Sequence, residues 1–244
     1  MQFTTIAGQA LASEIVPLLE PERSTLRESL RERDATQLLE VATAAYSRLD
    51  QRIQSAIDGS GMTPACAPGC DWCCHGVKVN VTAFEAIAIA AHLNAQQSSL
   101  REGAHAAAER RRGMNTDHLF ESRDPCPFLG NAGECQIYTV RPSACRRHSC
   151  MDAKQCERAS LSPKLKLPVA QHANANVAGA LCAMSWAAAL EDAQLDYRTF
   201  ELTAAVAIAL TPGAPDQWIR GDRIFDRALR EVDIEDREIL RRET

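Results

Sequence analysis

The stretch CAPGCDWCCH, residues 66–75, places four cysteines and a histidine within ten positions. The cysteines are Cys66, Cys70, Cys73 and Cys74, and His75 follows them directly. Four kinds of chemistry account for such crowding: structural disulfides, a redox thiol pair, bound zinc, or an iron–sulfur cluster. The choice among these four decides what organises the fold around this stretch.

A second group of cysteines lies further along the chain, where helical and strand periodicity both fail. Its members are Cys126, Cys135, Cys145, Cys150 and Cys156, within an irregular stretch from Asp124 to about Pro168. Such a long stretch without periodic structure is unusual inside a compact domain unless something else organises it. We therefore expect a bound metal to organise it. The tenth cysteine, Cys182, lies alone in an apolar helical pattern, and core packing explains it.

The bulk composition limits the partners and the compartment. The chain has 244 residues, a net charge of −5 and a pI near 5.7. It lacks the basic excess that favours nucleic acid or an anionic membrane surface, so we expect neither as a partner. The longest apolar run, residues 177–190, is too short to span a bilayer. The N-terminal stretch lacks the positive region of a signal peptide, and we expect a cytoplasmic protein. Cytoplasmic thiols are kept reduced, which favours metal binding or redox chemistry over disulfides.

Outside the two cysteine groups the sequence reads as mostly helical. Periodicity predicts helices over residues 4–20, 24–57, 98–112, 173–194 and 197–211, with two shorter pieces after Pro215. Pro21 is predicted to separate the first two helices. The alternating VKVNV at 77–81 predicts one short strand, and Thr82 with Glu85 has the spacing of a capping box that opens a further helix.

These patterns predict a mainly α fold. We expect a helical domain organised around a cysteine-rich, largely irregular metal-binding core, with at most one or two short strands. Its parts are an N-terminal helical segment (1–61), the cysteine-cluster core (62–157) and a C-terminal helical segment (158–244). The three parts are expected to form one compact domain.

The adjacent pair Cys73–Cys74 reduces the number of chemistries that fit the first cysteine group. Adjacent Cα atoms are about 3.8 Å apart, below the usual disulfide range of about 4.4–6.8 Å, so a disulfide between these two would be strained. A thioredoxin-like motif needs a strand and a helix in a βαβ context, which the loop and isolated strand around this pair do not offer. A catalytic Cys–His pair, Cys74 with His75 or Cys145 with His148, stays open as an alternative.

The two groups also carry a longer pattern than their cysteines alone. After the block CAPGCDWCC come CPFL at 126–129 and CQIYTVRPSACR at 135–146. This combination resembles the YkgJ-like cysteine-cluster family, described as a zinc- or iron-chelating domain, over roughly residues 62–150. One spacing departs from the family pattern, because three residues, 67–69, separate the first two cysteines instead of two.

The cysteine block is also similar to that of the flagellin lysine methylases. That resemblance implies an iron–sulfur cluster combined with methyl transfer. The chain is considerably shorter than those enzymes and shows no convincing G-x-G-x-x-G loop for S-adenosylmethionine. Cys66, Cys70 and Cys73 have the C-x-x-x-C-x-x-C spacing of radical enzymes, but the surrounding βα repeats of such enzymes are missing.

Two classes of function follow from these patterns. The first is an iron–sulfur cluster, [4Fe–4S], in a redox or uncharacterised enzymatic role; the second is structural zinc in a module that binds a protein partner. The wide spacing of the second cysteine group favours iron, since structural zinc sites usually draw on paired knuckles. The predicted metal ligands are Cys66, Cys70, Cys73, Cys74, Cys126, Cys135, Cys145 and Cys150. Cys156, His75 and His148 are left open as ligands, and no motif indicates a substrate.

Overall fold

The computed structural model describes residues 6–95 and 98–229. In these ranges the chain forms eleven α-helices and one sheet of two strands. The helices are α1 (Ile6–Ser29), α2 (Leu38–Asp58), α3 (Ala83–Asn94), α4 (Ser98–Arg111), α5 (Thr116–Ser122), α6 (Ser143–Arg147), α7 (Ala153–Leu161), α8 (Ala173–Asp192), α9 (Leu202–Ala209), α10 (Ala214–Ile219) and α11 (Asp226–Leu229). The strands are β1 (Asn80–Thr82) and β2 (Thr199–Glu201). The predicted mainly α fold is confirmed.

The first helix is longer than predicted. It continues through Pro17 and Pro21 to its end, so the prediction that Pro21 separates two helices, with the second starting at Ser24, is wrong. Both prolines are exposed, where water satisfies the carbonyl groups that lose a helical N–H partner. The chain instead breaks at Arg33, whose φ is 50°. A 3₁₀ turn over Ala35–Gln37 then leads into α2.

The two strands form an antiparallel pair in which Val81 lies opposite Phe200. β1 begins three residues later than the predicted strand over 77–81. The predicted helix over 197–211 is wrong at its start, because β2 occupies that part and α9 begins at Leu202. Pairing overrides the helical pattern there, since the side chain of Phe200 is buried by the strand position.

The predicted capping box at the start of α3 is confirmed. The Thr82 hydroxyl accepts a hydrogen bond from the Glu85 N–H, and the Glu85 carboxylate accepts one from the Thr82 N–H at 3.0 Å. The other oxygen of the same carboxylate accepts the backbone N–H of Ser143 at 2.8 Å. One buried glutamate therefore both starts α3 and ties it to α6, next to Cys145.

The hydrophobic core lies where α8 packs against α1 and α2, and where α3 packs against α2 and α9. The buried Glu22 on α1 accepts hydrogen bonds from Trp186 Nε1 at 3.0 Å and from Arg48 Nε at 2.9 Å, so its charge is compensated inside the core. Cys182 on α8 is 1% exposed, which confirms its predicted packing role. Among the described residues, no helix combines the length and the apolar character needed to cross a bilayer.

The cysteine-rich stretch from 124 to 168 is irregular, as predicted, but it contains short elements. These are α6, α7 and two 3₁₀ turns, Tyr138–Val140 and Pro163–Leu165. The sequence did not predict α7, which is only nine residues long and follows an unusual run of polar residues. Its start is fixed by Asp152, whose carboxylate accepts the N–H groups of Lys154 and Gln155.

Candidate metal centre

Backbone hydrogen bonds join the two cysteine groups directly. The Cys126 N–H donates to the Cys74 carbonyl at 2.8 Å, and the Gly76 N–H donates to the Asp124 carbonyl at 2.9 Å. Gly76 has a φ of +70°, and a Cβ at this position would lie 2.7 Å from the Leu119 carbonyl oxygen. Only glycine fits here without displacing backbone. The pairing brings cysteines that are distant in the sequence onto neighbouring chain segments.

The first cysteine group folds into two consecutive tight turns. The Cys70 N–H donates to the Ala67 carbonyl at 3.0 Å, and the Cys74 N–H donates to the Asp71 carbonyl at 2.7 Å. The second turn is a 3₁₀ helix over Trp72–Cys74, which accounts for the local spacing of its thiols. Such turns expose sulfur atoms while leaving backbone N–H groups near them, which is typical of thiolate-ligand loops.

A hairpin-like turn positions the thiol of Cys135. Leu129 and Cys135 pair across the turn, and the Gln136 N–H donates to the Phe128 carbonyl at 2.8 Å. Gly133, at the tip, has a φ of +81°, and a Cβ there would lie 2.8 Å from the Gly69 carbonyl oxygen. The tip therefore packs directly against the loop of the first cysteine group.

Arg146 holds the segment that carries Cys145. Its side chain is nearly buried and donates to the carbonyl oxygens of Arg141 at 2.6 Å and Thr139 at 2.7 Å. It also pairs with Asp50 and lies over the ring of Tyr46, both on α2, with 4.4 Å between the guanidinium carbon and the ring centre. This arginine supports the backbone of the site. The sequence alone did not show whether Arg146 supports the backbone or offsets the negative charge of thiolates.

Five thiols gather where these segments meet. We call them the central thiol group: Cys73, Cys74, Cys126, Cys135 and Cys145. Each of them interacts electrostatically with several of the others. The predicted ligands from both groups therefore share one place in the fold. Cys70 lies between this group and Cys66, since it interacts with both Cys66 and Cys73.

Burial keeps most of these thiols protonated when no cation is present. It raises the pKa of Cys126 to about 11, and it also raises the pKa of Cys145 and Cys135. Cys73 differs, because a hydrogen bond with the Cys74 thiol lowers the pKa of Cys73 to about 7 and raises that of Cys74. The group thus contains one ready thiolate among thiols that need a positive partner to ionise.

Arg141 supplies fixed positive charge beside the central thiol group. Its guanidinium group opposes the rise in the pKa of Cys135 and Cys145 and lies 4.6 Å from the ring centre of Tyr138. The Arg141 Nε atom is buried and has no hydrogen-bond partner within the protein. A buried, unused N–H donor next to several thiols suits a site that becomes anionic when the thiols lose their protons.

The remaining predicted ligands lie to one side of the central thiol group. The structure joins the sulfur atoms of Cys150 and Cys156, although the 7.1 Å between their Cα atoms lies above the usual disulfide range of about 4.4–6.8 Å. The Cys66 sulfur accepts a hydrogen bond from the Cys150 N–H at 3.1 Å. The sequence favoured metal binding over disulfides, and this pair departs from that prediction because its two sulfur atoms are joined. Cys150 as a thiolate ligand stays a prediction that concerns the reduced form.

The two histidines left open by the sequence lie at the edges of the site. His75 Nε2 forms a hydrogen bond with Asp71 at 3.1 Å. His148 follows α6, where burial and the charges of Arg147 and Arg141 lower its pKa and favour the neutral ring. Within residues 6–95 and 98–229, no three His, Cys, Asp or Glu side chains converge closely enough to enclose a metal ion as they stand.

Comparison with known proteins agrees with the position of this site. Residues 65–166 match the model of the CxxCxxCC family, which is described as a "putative zinc- or iron-chelating domain". No curated protein and no solved structure matches the chain. The predicted similarity to flagellin lysine methylases is not shown by these comparisons. Residues 65–166 therefore match a zinc- or iron-chelating family model, and both cysteine groups lie within the matched stretch.

Proposed function

We propose that the central thiol group holds a [4Fe–4S] cluster through Cys73, Cys126, Cys135 and Cys145, and that the protein uses it in electron transfer. One observation carries the proposal: these four thiols come from separate segments and interact with one another, and Cys73, Cys135 and Cys145 also interact with Arg141, whose buried Nε has no hydrogen-bond partner within the protein. Four thiolates from widely spaced, irregular backbone are the usual ligand set of such clusters. When bound, the cluster would supply one-electron redox chemistry.

The protein's own residues prepare the site for this charge. Four thiolates around a [4Fe–4S]2+ core leave a net charge of about −2. The Arg141 guanidinium group offsets part of this charge. Its free N–H can donate to a ligand sulfur, and such hydrogen bonds tune reduction potentials. The nearly buried Arg146 keeps the Cys145 segment in place through backbone carbonyls.

Structural zinc is the second candidate. It is favoured by the position of the thiols at a junction between chain segments, where Cys74 and Cys126 pair through their backbones. In this case the metal would stabilise the junction, and the helical surface would serve as a module for a protein partner. Cluster-dependent methyl transfer and a cytoplasmic location stay predictions from the sequence.

The decisive measurement is metal and sulfide analysis of the full chain purified without air. The [4Fe–4S] proposal predicts iron and acid-labile sulfide in equal amounts, with a broad brown absorption that dithionite bleaches. A colourless protein with stoichiometric zinc supports the zinc module and contradicts the cluster. A folded protein that holds neither metal contradicts both.

Two alanine variants locate the metal. Cys145→Ala removes a partly buried thiol of the central thiol group and should lower metal content sharply, because repacking cannot replace a thiolate ligand. Cys182→Ala is the control, since Cys182 is a thiol that lies buried in the helical core. It should keep full metal content and lose about 1 kcal/mol of unfolding free energy. Equal metal loss in both variants would show that the effect is one of general stability.

A further inference from the structure

We propose that helix α7 and the turn after it form a docking surface for a small electron-carrier protein whose own surface is acidic around its cofactor. We call this surface the α7 patch, and it consists of the exposed side chains between Lys154 and Leu167. The choice of an electron carrier rests on the electron-transfer function proposed above. The patch itself does not depend on which metal the chain binds.

The α7 patch is basic, although the chain as a whole is acidic. Residues 154–168 contain four lysine or arginine side chains and one carboxylate, Glu157, in a chain with a net charge of −5. All four cationic side chains are exposed. Lys166 pairs with Asp117 at 2.7 Å, but both side chains are more than 60% exposed, so the pair contributes little and a partner carboxylate can replace Asp117. An acidic protein surface is the electrostatic complement of this patch.

Leucine side chains lie among these charges. Leu161 is 53% exposed, Leu165 is 67% exposed and Leu167 is 37% exposed. Single exposed leucines are ordinary on protein surfaces, but three within seven residues, flanked by cations, match the apolar centre and polar rim of a protein interface. Lys154, Arg158 and Leu161 have the spacing i, i+4 and i+7, so α7 presents charge and apolar surface on one face.

The α7 patch adjoins the central thiol group. Helix α7 packs against the 3₁₀ turn Trp72–Cys74, which carries two of the five thiols of that group. Cys73 on this turn is exposed, whereas the other four thiols of the group are partly buried. A carrier that binds the patch therefore lies next to the most accessible part of the metal centre.

The small size of the patch favours a compact, transient partner. Electron-transfer complexes bury less than about 1,200 Å² in total, and charge steering speeds their formation. At physiological salt the Debye length is about 8 Å, so a compact protein senses mainly the patch beneath it. A membrane or a nucleic acid is an extended polyanion that also meets the acidic surface around the patch, and the net charge of −5 disfavours both.

The test is the binding of an acidic plant-type [2Fe–2S] ferredoxin to the full chain purified without air, measured by titration calorimetry. We expect binding at about 0.01 M salt that weakens about tenfold or more at about 0.15 M, because salt screens the attraction between the two surfaces. A basic cytochrome c, the control carrier, should not bind.

Charge-reversal variants locate the surface. Lys154→Glu combined with Lys164→Glu should weaken ferredoxin binding at low salt about tenfold or more. Arg31→Glu combined with Arg220→Glu is the matched control, since it changes the net charge equally at exposed positions outside α7 and should weaken binding far less. Leu165→Gln should weaken binding about fivefold at both salt concentrations, because the burial of apolar surface is not screened.

Metal analysis of the same samples separates this proposal from the proposed cluster. Both double variants should keep the iron and sulfide of the unmodified chain. A chain that holds iron but shows no salt-dependent ferredoxin binding overturns the docking surface and leaves the cluster standing. Binding that the lysine variant abolishes, in a chain without iron, supports the docking surface and contradicts the cluster. Equal loss in the two double variants, or binding to phosphatidylserine vesicles in place of ferredoxin, also overturns the docking surface.

Discussion

The helical part of the molecule and the cysteine region are held together by different forces. In the helical part, large apolar side chains such as Phe84 and Trp186 are buried in a continuous core, and local signals such as the Thr82 cap fix where helices begin. In the cysteine region, Phe128 and Ile137 join the core, but much of the order comes from backbone bonds between distant segments and from Arg146. We therefore expect burial alone to stabilise the helical part, and a bound cation to add to the stability of the cysteine region.

Metal removal should unfold the cysteine region before the helical part. Of the changes considered, we expect it to have the largest effect on stability. Binding of a structural metal by thiolates contributes on the order of 10 kcal/mol to the folding of small metal domains. Chelation should therefore remove hydrogen-exchange protection from the amides of Cys126 and Gln136 well before it affects α3 and α8. Protease cleavage should likewise begin between 124 and 160. Uniform loss of protection across the chain would show one cooperative unit instead.

Replacing Arg146 by alanine should be the most damaging single change to the cysteine region outside its thiols. The change leaves the carbonyl oxygens of Arg141 and Thr139 without their donor and removes the contact with Tyr46. We expect a loss of roughly 3 kcal/mol, because charged hydrogen bonds to otherwise unpaired groups are lost. Urea unfolding measures the loss. Arg31→Ala, which breaks an exposed pair with Glu28, is the control and should leave the urea midpoint unchanged.

Alkaline pH should destabilise the reduced, metal-free protein more than the metal-loaded one, in which thiols outside the metal centre, such as Cys182, still titrate. Burial raises the pKa of Cys126 to about 11 in the folded state, and it raises that of Cys145 as well. A raised pKa favours the folded state below the unfolded-state pKa of about 8.5, and this stabilisation is lost as pH rises through the folded-state pKa.

The lost stabilisation should amount to about 1–2 kcal/mol for each such thiol between pH 8 and pH 10. Cys73 contributes in the opposite direction, since its pKa is lowered to about 7, but its contribution changes mainly below pH 9. Urea unfolding at the two pH values measures the difference. In the metal-loaded protein the thiols are already deprotonated, so an equal loss in both forms would contradict the assignment.

The smallest predicted effect belongs to the helical part. Thr82→Ala removes the hydroxyl that accepts the Glu85 N–H at the start of α3 and should cost about 1 kcal/mol. Metal content should not change, because the Glu85 carboxylate still accepts the Ser143 N–H. Thr82→Ser keeps the hydroxyl and serves as the control. A loss of metal in Thr82→Ala alone would show that α3 and the metal centre are more closely coupled than the comparison states.

Local features were predictable from the sequence, and long-range pairings were not. The capping box, α4, α8 and the burial of Cys182 follow from spacing within a few residues. The bond between Cys126 and Cys74 depends on how three intervening helices return the chain, which no local pattern records. The prolines of α1 misled the prediction, because exposure and packing decide whether a helix tolerates them.

The contrast between local patterns and long-range packing also explains which features of the site could be predicted. The sequence motif placed the thiols of both groups together, since the family pattern contains that relation. It could not separate Arg141, which faces the thiols, from Arg146, which supports the backbone, because both belong to the same motif. Tyr46 and Asp50 were missed entirely, as their roles arise only when α2 packs beside α6.

The pairing of Cys74 with Cys126 has a consequence for how the chain is made. The two residues are 52 positions apart, and translation adds about 5–20 residues per second. The first cysteine group therefore leaves the ribosome roughly 3–10 s before the segment that pairs with it. During that interval its thiols have neither the hairpin nor Arg146 beside them, and we expect them to be open to oxidation until the second group is made.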